Sequence, residues 1–60
     1  MPLTSKELTF IEDSLKHEAL LVKKFRSYAS SAQDPAIKRQ AEQIADRHKQ
    51  HFDLLMGHLY

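Results

Sequence analysis

Apolar residues recur at alternating steps of three and four along most of the chain. They run first through Leu8, Ile11, Leu15, Val22, Phe25 and Ala29, then through Ile37, Ala41, Ala45, Phe52, Leu55 and Leu59. This spacing follows the 3.6-residue helical repeat and predicts two amphipathic helices. The punctuation agrees. Leu3-Thr4-Ser5-Lys6-Glu7-Leu8 carries both halves of a capping box, Thr4 toward the Glu7 amide and the Glu7 side chain back toward Thr4, with Leu3 and Leu8 spaced as a hydrophobic staple. No proline or glycine follows until Asp34-Pro35, where an Asp cap before a first-turn proline is a second start signal. Ser30-Ser31-Ala32-Gln33, poor in apolar residues and without a glycine stop, is expected to fray. The helices are thus placed near Ser5 to Ser31 and Pro35 to His58, and so short a connection makes them antiparallel. The whole chain, residues 1–60, reads as one helical hairpin domain.

Each seam is interrupted once near its middle, by Glu18 on the first helix and His48 on the second. With the turn centred near residue 33, facing residues have numbers that sum to roughly 66. Glu18 is then level with His48, Phe25 with Ala41, Val22 with Ile44, and Ile11 with Leu55. A carboxylate placed in an apolar seam costs several kcal/mol unless paired or hydrogen-bonded, and His48 can supply the partner. One reading of this level is a structural pair that sets register, or a Glu18 lying at the seam's edge. The other follows from symmetry: in a twofold dimer, Glu18 and His48 from two subunits converge as an oxygen-and-nitrogen ligand set for one zinc or iron ion per dimer. His48 and His51, spaced i, i+3, share a helix face and can reach a common metal, although His51 also reads as a residue at the wet edge of that face. His17 and His58 look like boundary residues.

Composition narrows the function classes. With 60 residues, the chain is short enough that a lone domain is marginally stable, and no cysteine is present to supply disulfides or thiolate zinc sites. Ile44, His51 and Met56 widen the second apolar face beyond what one neighbouring helix can cover, so two hairpins are expected to pair as a homodimer, a four-helix bundle. One glycine and two prolines leave little turn chemistry for a sheet protein. A formal charge of +1 argues against a dedicated nucleic-acid or membrane-surface binder, and the basic run Lys23-Lys24-Phe25-Arg26 reads as a solvated face around the core residue Phe25. Neither a membrane-length apolar run nor a leader pattern is visible, which makes a soluble cytoplasmic protein the expectation. Nucleophile–base pairs, phosphate loops and dinucleotide motifs are likewise missing.

The pattern Glu18 with Tyr28, then Gln33-Asp34-Pro35, then His48 with Phe52 and Leu55 resembles half of a ferritin-like or rubrerythrin-like bundle. In that superfamily each hairpin supplies a Glu from its first helix and a Glu-x-x-His pair from its second, and two hairpins cradle two metals. Here Ala45 stands where the resemblance requires that second Glu, and Asp46 lies about 100° further round the helix. The resemblance therefore implies the fold without di-iron oxidase chemistry. Nearly the whole chain is similar to the short spore coat F-like proteins of endospore-forming bacteria, through Leu3-Thr4, Leu15-Lys16-His17-Glu18, Val22-Lys23-Lys24-Phe25, Tyr28-Ala29, Gln33-Asp34-Pro35 and Arg47-His48-Lys49-Gln50-His51-Phe52. This similarity implies a non-catalytic structural or interaction protein of the spore coat, assembling as a helical dimer with other coat proteins as wider partners.

Overall fold

The computed structural model describes residues 2–60, which form two helices, α1 (Ser5–Ser31) and α2 (Pro35–Met56), with no strand among the described residues. The start of α1 is the expected capping box. The Glu7 amide donates to Thr4 Oγ1 at 3.1 Å, and the Thr4 amide donates to Glu7 Oε1 at 2.9 Å. These bonds satisfy two of the donors that a helix start leaves without carbonyl partners. The Thr4 amide, and after it the Thr4 side chain, hold the Glu7 carboxyl below its ordinary value of 4.5, because the charged carboxylate accepts their hydrogen bonds better. Leu3 and Leu8, the expected staple, remain 37% and 40% exposed.

The expected fraying of α1 does not extend to Ser31. Its hydroxyl donates to the Ser27 carbonyl at 3.1 Å, and the Ala32 amide closes onto Tyr28 O at 2.9 Å before the backbone turns extended at φ −71°, ψ 133°. Side-chain and main-chain donors together do the work of the absent glycine stop. Two residues later Asp34 caps α2, its Oδ1 accepting from the amides of Ala36 (2.8 Å) and Ile37 (3.4 Å), with Pro35 pre-set in the first turn. At the far end α2 stops at Met56, two residues before the expected His58. Beyond Gly57 the bonds tighten to i→i+3, from His58 N to Leu55 O and from Leu59 N to Met56 O, so the last residues form a turn.

The two helices lie against one another as a rod of 46 × 14 × 12 Å. Its core is small: Ile11, Ala29, Ala41 and Ala45 are the buried hydrophobic residues, and none is a large, fully enclosed side chain. Ala45 is wholly buried, and Ala29 and Ala41 lie nearer the turn. Alanines at these positions let the helix backbones approach closely. Further from the turn the hairpin opens into a groove of about 590 Å³, lined by Leu3, Phe10, Ile11, Leu55 and His58 with the stems of Lys6 and Glu7. Leu15, Val22, Phe25, Ile44, Phe52, Leu55 and Leu59 are half-buried along the seam as the pattern requires. Ile37, a seam position, is 57% exposed although α1 still runs at its level, where Ala29 is buried. Leu20 and Leu54, off the seams, are 66% and 70% exposed.

Candidate metal centre

Helical register brings three chemically competent side chains to one level near the middle of the rod. Glu18 projects from α1 into the seam, and His48 meets it from α2, with His48 Nδ1 and Glu18 Oε2 2.7 Å apart. An ionised carboxylate only accepts, so Nδ1 carries the hydrogen and, in the neutral ring, Nε2 keeps the lone pair. The contact is short, as a hydrogen bond to a charged acceptor should be. It is also sheltered, since the side chains of His48 and Glu18 are only 21% and 16% exposed.

His51 joins from the next turn of α2. Its Nδ1 lies 3.6 Å from the same Oε2, and its side chain is 55% exposed. That distance is too long for a hydrogen bond, although the ring nitrogen faces the carboxylate. One ligand atom from each of Glu18, His48 and His51 lies within 4.8 Å of the other two. The imidazole of His48 meets two other rings. Phe25 stacks on it at 6.0 Å and 20°, and the His51 ring meets it nearly edge-on at 5.7 Å and 81°. Phe25 is in turn met edge-on by Tyr28 at 5.6 Å. This aromatic packing limits rotation of the His48 ring about its side-chain bonds.

The level of Glu18 and His48 is as the seam arithmetic expects, and Ile11 and Leu55 share the groove. The role of His51 at this level was only half legible. Its i, i+3 spacing from His48 gave the shared face, but the distance to Glu18 depends on how closely the helices approach. Arg26 was not legible as a paired residue. Instead of standing in a wholly solvated basic face, it reaches across to Asp46 at 2.9 Å, both side chains well exposed. This pair also uses the carboxylate that lies next to Ala45, so Asp46 is directed at Arg26. Ala45 itself is fully enclosed. His17 is exposed, and His58 borders the groove at the open end.

Among the described residues no lysine or arginine pairs with Glu18; the side chains that approach its carboxylate are the two imidazoles. Lys24 lies over the Tyr28 ring and Lys49 over the Phe52 ring, each 5.8 Å from the centroid, and Lys49 also bonds Asp53 at 2.6 Å. Arg26, Lys24 and Lys49 thus have partners other than Glu18. No helix is long and apolar enough to cross a membrane among the described residues. No family model matches the chain, and neither a curated protein nor a solved structure matches it.

Proposed function

We propose that the chain is a non-catalytic assembly module in which two hairpins pair as a homodimer, a four-helix bundle of ferritin-like arrangement. The observation that carries this reading is the surface left over by the isolated hairpin. Its accessible area is 4933 Å², whereas a compact monomer of 7.0 kDa exposes roughly 4,000 Å². The excess, on the order of 900 Å², matches one partner's share of a standard protein–protein interface, about 800 Å². The radius of gyration, 14.2 Å against roughly 10 Å for a compact chain of this length, expresses the same deficit of packing.

The chemistry of the surplus area favours a second copy as its occupant. Phe10, 56% exposed, stands beside Leu3 and Leu55 in a groove at the open end. A formal charge of +1 opposes self-association very little. A fully enclosed Ala45 in place of an acidic ligand supports assembly rather than di-iron oxidation as the role of the bundle. Similarity to spore coat F-like proteins extends the proposal to a coat component of spores, with other coat proteins as its wider partners.

Light scattering coupled to gel filtration tests the dimer. The expected result is a species of twice 7.0 kDa at micromolar concentration, with a melting temperature that rises with protein concentration because folding and association are linked. A folded helical monomer with a concentration-independent melting temperature would overturn the proposal.

A further inference from the structure

We infer that Glu18, His48 and His51 of a single hairpin form a three-ligand site for one divalent transition-metal ion of the zinc type. Glu18 and His48 are joined by the 2.7 Å contact, and the edge-on meeting of the two imidazoles brings His51 to the same level. An exposed histidine is free to point into solvent, yet its Nδ1 faces the same Oε2 at 3.6 Å, beyond hydrogen-bond reach. An ion among the three atoms would draw all of them onto one centre. Zinc takes imidazole nitrogen and carboxylate oxygen at about 2.0 to 2.2 Å, and tetrahedral coordination sets such ligands about 3.3 Å apart. The present separations, none above 4.8 Å, bracket that value, so small side-chain rotations bring the set to bonding distance.

The surroundings agree with the donor set. Two imidazoles and one carboxylate are borderline ligands that suit zinc better than calcium or magnesium. With both rings neutral the centre carries one negative charge, and no lysine or arginine among the described residues neutralises it. Binding through His48 Nδ1 requires its hydrogen to move to Nε2, so the ring changes tautomer while Glu18 turns from hydrogen-bond acceptor to ligand. Phe25 on one face of the ring maintains the orientation during that exchange. His51 leaves the site open on its solvent side, which provides an entry path and a fourth position for water. Because the ligands come from both α1 and α2, the ion ties the two helices together. This site is complete within one chain, unlike one shared across a dimer axis, and stands independently of the oligomeric state.

The test is calorimetric titration of zinc chloride into the untagged full chain at neutral pH, with a competing chelator to resolve tight binding. One ion per chain and a raised melting temperature are expected. His51→Ala should weaken binding roughly tenfold or more, at least the loss seen when outer-shell partners of a metal ligand are removed. His17→Ala, which alters a histidine outside the cluster, should leave affinity unchanged. Circular dichroism of each variant confirms that the hairpin is retained. For the unmodified chain, nitrogen-15 spectra of the imidazoles provide a measurement independent of any variant, with the Nδ1 resonances of His48 and His51 expected to move on zinc addition. Absence of saturable binding, half an ion per chain, equal affinity in His51→Ala, or shifts confined to other histidines would each overturn the inference.

Discussion

Removing Glu18 should expose how much of the hairpin's stability sits at its polar level. Glu18→Ala deletes one hydrogen bond to a charged acceptor and leaves the His48 N–H in a site where that ring is 21% exposed. Hydrogen bonds to charged groups contribute about 1.5 to 3 kcal/mol, and partial access to water places this one near the lower end, at about 1 to 2 kcal/mol. His48→Ala loses the same bond and also the stack on Phe25, an aromatic contact of about 0.5 to 1.5 kcal/mol, so its cost should be about 2 to 3 kcal/mol. The double variant Glu18→Ala/His48→Ala leaves neither partner stranded, and the cycle should return a coupling of about 1 to 2 kcal/mol. His51 sharpens the argument. In His48→Ala the carboxylate can turn to His51 Nδ1, 3.6 Å away, which softens that single substitution. Repeating the cycle in a His51→Ala background should therefore raise the coupling. Urea unfolding followed by circular dichroism, at one fixed protein concentration because the proposed association would contribute to stability, gives the four free energies. In thermal unfolding each kcal/mol corresponds to roughly 4 to 8 °C for a domain of this size. Additivity within about 0.5 kcal/mol in both backgrounds would refute the pairing.

Two further perturbations probe the ends of the rod. Phe10→Ser should weaken dimerisation without unfolding the hairpin, because the exposed part of this ring offers roughly 100 Å², or about 2 to 3 kcal/mol per copy, to a partner; sedimentation equilibrium measures the loss, and an unchanged dissociation constant would remove the groove from the interface. Glu7 titrates below 4.5 in the folded chain, so its contribution to the start of α1 is fully present above the unfolded value and is lost as pH falls through the lower folded one; carbon-13 shifts of residues 5 to 8 should follow that loss, and Glu7→Gln, which keeps a hydrogen-bonding side chain but cannot titrate, should flatten the curve.

Local chemistry by itself determined the two helices and most of their limits. Thr4 with Glu7 and Asp34 with Pro35 act through hydrogen bonds and dihedral preferences within a few residues, so both starts could be read directly from the chain. The three-and-four spacing likewise marked which faces turn inward, and the short connection fixed the level at which Glu18 meets His48. Register along a hairpin depends on counting residues from the turn, and counting needs no coordinates. The depth of burial and the lateral reach of side chains depend on the distance between helix axes, which only packing decides. Small residues at 29, 41 and 45 draw the helices together near the turn, whereas the far end stays open around Phe10. That separation brought His51 to 3.6 Å from Glu18 and Arg26 to 2.9 Å from Asp46, neither of which spacing alone could give. It also left Ile37 uncovered, because a periodic pattern marks an inward-facing position without saying how much side chain the opposing helix, here with the small Ala29 at that level, offers to cover it. Periodicity is a property of one helix, while the contact between a carboxylate and two imidazoles belongs to the gap between two, and that gap is set by the volumes of all the side chains that fill it.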